Sequence, residues 1–264
     1  MYLGYNRVVK EGDMVNETKT IYQRLDINKA AIDRLRPFEG DTLCQLRAYY
    51  RIGLTWASNA LEGNSLTEME TKVLLEDGLT VGGKPLRDIL EAIGHSHAYD
   101  YMFELLDKRR ITVKDMQTLH RLFYKLIDEP HAGLWRDVNI IVTGSDYAFP
   151  APAELDGLMA DFGRWMEAER ETMHPARYAA MLHLKFVTIH PFIDGNGRVA
   201  RLLMNASFIQ DGYMLAVVPP ILRVDYLAAI RRYQQGGDAE PFCEFIAERV
   251  LESEKEIMRL LKIG

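Results

Sequence analysis

The sequence is poor in cysteine. Its two cysteines, Cys44 and Cys243, lie far apart with no metal-ligand spacing. That argues against a disulfide framework or a structural zinc site, and two buried free thiols are expected instead. No leader is visible at the N-terminus, which with free thiols sets the expectation of a reducing, cytoplasmic setting. No apolar run reaches the ~18 residues that a membrane span needs. Basic residues are not in excess either: the formal charge is −6. This argues against nucleic acid or an anionic membrane as a partner, since both need a basic surface. There is no His-Glu-x-x-His pattern, and the glycine-rich stretch lacks the Gly-Lys-(Ser/Thr) ending of a P-loop, so those zinc and ATPase chemistries are disfavoured. Repeats, low-complexity tracts and Pro/Gly/Ser-rich linkers are absent. The 264 residues are expected to form one compact domain.

What is present is enough apolar material for a core, 48% of residues, spread through helical patterns. The 3.6-residue period and its capping residues predict helices over about 17–35, 42–61, 68–77, 86–108 and 113–127. They continue over about 153–169, 175–189, 198–211, 224–234 and 240–261. Thr67 with Glu70 forms a capping-box pattern, and Gly78 closes that short helix. One stretch departs from this period. Val138-Asn139-Ile140-Ile141-Val142 is β-branched, Thr143–Asp146 reads as a turn, and Tyr147-Ala148-Phe149 follows before Pro150. This predicts a single β-hairpin in an otherwise all-α fold.

The densest chemistry lies at His190-Pro-Phe-Ile-Asp194-Gly195-Asn196-Gly197-Arg198-Val-Ala-Arg201. It joins two apolar helical runs, so the Asp194–Gly197 turn falls at a helix N-terminus, where free N–H groups and the helix dipole favour an anion. A plain N-cap with solvated arginines is the bland alternative. The near-continuous polar run favours phosphate. His190 suits a general base near neutral pH. Asp194 suits a Mg²⁺ ligand shared with phosphates. Asn196 and the N–H groups of Gly195 and Gly197 can donate to phosphate oxygens, while Arg198 and Arg201 can hold distal phosphates. His183 reads as a core or supporting histidine, and the other histidines do not cluster.

These twelve residues resemble, without a gap, the signature of the Fic family, His-x-Phe-x-(Asp/Glu)-Gly-Asn-Gly-Arg-x-x-Arg. The Gly133–Arg136 run, the hairpin and the helix leading into His190 are also similar to the family core. The resemblance implies a Fic-fold helical bundle whose hairpin, Val138–Val142 with Tyr147–Phe149, is a flap docking an extended target segment. It implies a division into an N-terminal helical extension (1–84), a Fic core (85–236) and a C-terminal helix (237–264). The implied activity is transfer of AMP from ATP to a Ser, Thr or Tyr hydroxyl of a target protein, possible self-modification included. His190 would be the base, Asp194 the Mg²⁺ ligand and Arg201 the γ-phosphate ligand. Tyr226 and Tyr233 fall where the family places adenine contacts, with core packing as the alternative. Transfer of UMP, phosphocholine or a phosphoryl group, or removal of AMP, could use the same loop. A nucleotide-binding interaction module without turnover is disfavoured by the retained His190. The sequence leaves a homo-oligomer open.

Ser58-x-x-x-Glu62-Gly63 carries a separate signal. A carboxylate at a helix C-terminus opposes the dipole, so Glu62 is either solvated or has a cationic partner. The run is similar to the inhibitory motif of many Fic proteins, (Ser/Thr)-x-x-x-Glu-(Gly/Asn). By that resemblance Glu62 pairs with Arg201 and blocks the γ-phosphate.

Overall fold

The structure is a computed structural model describing residues 19–36, 40–80, 82–108, 110–142 and 146–262. Ten α-helices form among these residues: α1 (Ile21–Asp33), α2 (Gly40–Ala60), α3 (Glu68–Asp77), α4 (Leu86–Glu104) and α5 (Val113–Tyr124), then α6 (Leu155–Glu169), α7 (Pro175–Ile189), α8 (Asn196–Gln210), α9 (Arg223–Gly236) and α10 (Glu240–Leu260). Their starts follow the local chemistry. Thr20 with Gln23, Thr67 with Glu70 and Thr112 with Asp115 each close a capping box at α1, α3 and α5. Gly78 ends α3 in the left-handed conformation. None of the described helices is long and apolar enough to cross a membrane.

Helices α7 and α8 pack side by side at the centre. Along α8 every residue from Arg198 to Phe208 is buried, the pattern of a helix enclosed on all sides. The others surround this pair: α10 lies on α1, α7 and α9, and α4 on α2, α5 and α8. The main hydrophobic core runs from Leu25 to Ile257, and a smaller cluster of Leu66, Leu74, Ile89 and Ala92 lies beside it. The α4–α5 crossing is especially close, because a Cβ added at Gly94 would overlap the carbonyl oxygen of Phe123. Gly94→Ala is therefore expected to destabilise the fold by roughly 1–3 kcal/mol or more, as overpacking does. A lowered urea midpoint at unchanged m-value checks this.

Two sequence expectations need correction. Cys243 is buried, but Cys44 is exposed, and both are free thiols. The paired β-hairpin does not form: among the described residues no strand is present. Val138–Val142 runs as an open segment with Ile141 96% exposed, and residues 143–145 of the expected turn lie outside the described residues. An arginine clip does the work of a ladder. Arg136 Nη1 donates to the Val138 carbonyl at 3.0 Å and Nη2 to the Pro150 carbonyl at 2.6 Å. The β-branched composition had signalled an extended backbone, which does not by itself secure a partner strand.

Candidate active site

His190 follows the last turn of α7 with a left-handed backbone, φ 54° and ψ 58°. Its N–H bonds the Phe186 carbonyl at 2.9 Å, and its own carbonyl accepts from Arg136 Nε at 2.9 Å. The imidazole Nδ1 lies 3.2 Å from the Val187 carbonyl. A carbonyl can only accept, so Nδ1 carries the proton and Nε2 keeps its lone pair. Phe149 covers the ring at a centroid distance of 4.6 Å. Burial drives the His190 pKa down to about 4, although the Val187 carbonyl acts in the opposite sense. The ring is therefore neutral at neutral pH.

The turn after His190 is tied down from within. Asn196 is buried and its amide closes on Phe192 in both directions, Oδ1 accepting from the N–H at 2.9 Å and Nδ2 donating to the carbonyl at 2.8 Å. Its side chain thus shapes the loop and does not project as a phosphate donor. Gly195 has φ +76°, and a Cβ there would meet the Phe123 ring at 2.7 Å; no other residue fits. His120 supports the turn from α5. It accepts from Gly133 N–H at Nδ1 (2.8 Å), so Nε2 donates to the Asp194 carbonyl at 3.1 Å. Its ring stacks on Phe192 with centroids 3.7 Å apart.

The two signature arginines diverge. Positions i and i+3 on a helix sit about 60° apart around the axis, enough for long side chains to splay. Arg198 turns toward α4, where it meets Glu91 Oε1 at 3.2 Å and Asp194 Oδ1 at 3.3 Å and lies 4.5 Å from the Phe123 ring centroid. It lines neither cavity of the site. Its guanidinium braces the loop, contrary to the sequence expectation of a phosphate ligand. Arg201 turns the other way and is 2% exposed. Its Nε donates to Ser58 Oγ and Nη2 to the Ser58 carbonyl, both at 2.9 Å. Nη1 donates to Tyr226 Oη at 3.0 Å, and Nη2 reaches Glu62 Oε1 at 2.7 Å. Tyr226 Oη in turn lies 2.7 Å from His183 Nε2. His183 is a supporting histidine, as its sequence context suggested. Burial opposes ionisation of Glu62, but the Arg201 and Arg198 charges outweigh it and hold the carboxyl below the ordinary glutamate range.

Glu62 follows the end of α2, where Gly63 takes φ +96° and Arg223 Nε caps the Leu61 carbonyl at 2.7 Å. Two adjoining cavities meet here. One, about 140 Å³, is lined by Phe149, Val187, Arg201, Tyr226 and an α9 face of Leu227, Ile230, Arg231 and Gln234. The other, about 280 Å³, is lined by Ile140, Ile141, Ile193 and Asp194 to Asn196. Glu62, Val142, His190 and Gly197 belong to both. A Cβ on Gly197 would overlap the Glu62 carboxylate, so the missing side chain is what admits Glu62 to the loop.

The match to known proteins agrees with this geometry. A Fic/DOC family model matches residues 110–207, spanning α5 through most of α8 and therefore the whole loop. Residues 110–207 are a Fic/DOC family domain. Over 190 residues, 71% of this chain and 38% of the relative, the sequence is 38% identical to the protein adenylyltransferase Fic of Drosophila ananassae. The chain spans about two fifths of the length of the curated relatives it matches. Among solved structures, C. elegans Fic-1 superposes with a TM-score of 0.81 at 27% identity, over 95% of this chain and 75% of that one. A Fic domain containing signaling protein from Bacteroides thetaiotaomicron gives 0.79 at 26% identity, over 89% and 95%.

C-terminal to this Fic domain, the two tyrosines expected as adenine contacts are placed differently. Tyr226 lines the smaller cavity, but its hydroxyl points to Arg201 and His183. Tyr233 is half-buried against the core and lines neither cavity. Leu227, Ile230, Arg231 and Gln234 line the smaller cavity beside Tyr226; their i, i+3, i+4, i+7 spacing is the one signal that could have found them. His120 and Arg87, which holds Asp194 Oδ2 at 2.6 Å, carried no sequence signal of their own, and Arg136 was marked only as part of the Gly133–Arg136 run.

The buried histidines also set an acid limit. Burial pushes His95 and His120 down to about 3, His190 to about 4 and His183 well below its ordinary value. Groups lowered in the fold take up protons only on unfolding below about pH 6.5, so their stabilisation is lost as pH falls through that point. Glu254 works in the opposite sense, since burial raises it to about 8. The histidines outweigh it. Between pH 7.5 and 5.5 the net loss is on the order of 3 kcal/mol, to be read from urea midpoints at the two pH values.

Proposed function

We propose that this chain is a protein adenylyltransferase that transfers AMP from ATP to a Ser, Thr or Tyr hydroxyl of a target protein, and that Glu62 restrains it. The observation that carries the reading is the neutral His190, its Nε2 lone pair free, beside a helix N-terminus and the buried Arg201. The relatives named as protein adenylyltransferases support the choice of group transferred. In the reaction His190 Nε2 takes the hydroxyl proton as that oxygen attacks the α-phosphorus. The bond from the α-phosphorus to the bridging oxygen breaks, and pyrophosphate leaves. The N–H groups of Asn196 and Gly197 at the start of α8 stabilise the charge on the α-phosphate, the Gly195 N–H being taken by Asp194 Oδ1, and Arg201 holds the distal phosphate. Arg198, His120 and Asn196 keep that turn in shape.

Asp194 suits Mg²⁺, which binds through one or two carboxylates together with substrate phosphates. Its carboxylate is 39% exposed, and Oδ2 already holds a cationic group, Arg87. Asp194 would then be the protein carboxylate on the ion, with substrate phosphates supplying further ligands. The ion would neutralise phosphate charge there.

The restraint follows from shared atoms: Glu62 takes the Nη2 of Arg201 that a distal phosphate would need, while Ser58 and Tyr226 fix the rest of the guanidinium. The exposed Val138–Val142 backbone, with Tyr147–Phe149 beside it, would pair with an extended target segment by main-chain hydrogen bonds. In this reading residues 1–84 carry the brake, 85–236 the catalytic core and 237–264 a closing helix. The test is Glu62→Gly protein incubated with α-labelled and, separately, γ-labelled ATP. Protein label from the α position alone supports AMP transfer. Label from γ alone overturns it in favour of phosphorylation, and no label from either favours a binding module.

A further inference from the structure

Asp194 is held from two sides, and only one of them belongs to the signature loop. Its Oδ1 accepts from Gly195 N–H at 2.6 Å and from Arg198 Nη2 at 3.3 Å. Its Oδ2 accepts from Arg87 Nη2 at 2.6 Å. Arg87 comes from the first turn of α4, more than a hundred residues upstream, and its side chain is 55% exposed. Its Nε also donates to Glu91 Oε1 at 3.1 Å, the same oxygen that Arg198 Nη1 meets at 3.2 Å. Two guanidinium groups and two carboxylates thus close a ring: Arg87, Asp194, Arg198, Glu91. Glu91 is 8% exposed on its side chain and is further fixed by Asn64 Nδ2 at 3.0 Å on its other oxygen.

We propose that Arg87 is a positioning residue that occupies Asp194 Oδ2 in place of a divalent cation, so that the carboxylate takes the cation only when nucleotide phosphates arrive with it. The inference rests on Asp194 being the metal carboxylate of the proposed function. One oxygen cannot hold a guanidinium and a divalent cation at contact distance without strong like-charge repulsion. A bare Mg²⁺ gains a single carboxylate and gives up tightly held water, a poor exchange. Phosphates change the balance, since their charge attracts the cation and also gives Arg87 a new partner. Arg87 keeps its Nε on Glu91, so only its far end has to swing. Arg198 stays on Oδ1 and keeps the carboxylate aimed. Metal loading thereby becomes conditional on nucleotide, and an idle site does not collect cations.

The test measures free Mn²⁺ by electron paramagnetic resonance as wild-type, Arg87→Gln, Arg87→Lys and Asp194→Asn proteins are titrated without nucleotide. Arg87→Gln should bind Mn²⁺ about fivefold more tightly than wild type, the scale of one half-exposed charge pair. Arg87→Lys should lie between them, because it keeps the charge but loses the planar fork. Adding ATP should narrow the difference to within about twofold, since phosphates displace Arg87 in wild type as well. Equal Mn²⁺ affinity of wild type and Arg87→Gln, with binding lost in Asp194→Asn, would overturn the role of Arg87 and leave Asp194 as the ligand. Binding that Asp194→Asn does not affect would overturn both. A difference just as large with ATP present would overturn the coupling to nucleotide. Arg87 is half exposed, so the variants should unfold within a few degrees of wild type.

Discussion

On the proposed function, Glu62→Gly is expected to raise AMP incorporation into target protein by roughly 10- to 100-fold. That range corresponds to one charge-assisted hydrogen bond of about 1.5–3 kcal/mol that a distal phosphate no longer has to displace. The contact removed is Glu62 Oε1 to Arg201 Nη2 at 2.7 Å. Two features make the gain specific to that atom. Ser58 and Tyr226 still hold Nε and Nη1 of Arg201, so the freed Nη2 keeps its direction. Arg201 is 2% exposed, so without Glu62 it has a poorly compensated charge that a phosphate can satisfy. The variant should therefore lose stability without nucleotide and regain it when ATP binds the folded state. Equal incorporation of α-label with and without Glu62 would show that the carboxylate does not restrain the site. The Arg201 and Arg198 charges, working against burial, hold the Glu62 carboxyl below its ordinary range. Its charge is thus retained near neutrality, and the ratio of variant to wild-type rate should not change between pH 6 and 8.

His190→Ala is expected to lower AMP transfer by about 10²–10⁴-fold, the usual scale for a lost general base, whether or not Glu62 is present. His190→Asn is the companion variant. His190 sits at φ 54°, a region asparagine enters more readily than alanine, so the pair separates loop distortion from lost chemistry. Equal losses place the effect on the imidazole. Activity retained in either variant at near the parent rate would remove His190 from the base role. The pH profile of the Glu62→Gly protein is a second check. Burial holds His190 to about 4, so the rate should stay level from pH 8 to about 5 and decline only as the base becomes protonated. A limb centred at pH 6.5 would mean the imidazole is solvated in the working enzyme.

Much of the fold was legible because its rules are local. The capping boxes at Thr67 and Thr112 and the glycine stop at Gly78 depend on neighbours within one helical turn. Helix boundaries near α7 and α8 could be read from apolar period and from Pro175. The open segment at Val138–Val142 was misread because β-branched residues report an extended backbone, whereas a strand needs a partner. What holds this segment is a single side chain, Arg136. Similarly, Asn196 and Arg198 belong to the right loop, but their direction depends on Phe192, Glu91 and Asp194. A motif states that a residue is near the chemistry without stating which way its side chain turns.

By itself, the sequence determined that this is a helical protein with a glycine-containing turn at a helix N-terminus between two apolar helices, His190 at its head and Arg201 at its tail. Composition, period and capping suffice for that, because each acts over a few residues of chain. Tertiary structure decided which atoms of that turn remain available. Glu62 reaches Arg201 across 139 residues, Arg87 reaches Asp194 across 107 and His120 reaches Asp194 across 74. Those pairings depend on how α2, α4 and α5 pack around α8. Packing is set by the whole core at once, so composition, period and capping do not announce these pairs; only the resemblance at Ser58–Gly63 pointed to one of them, Glu62 with Arg201.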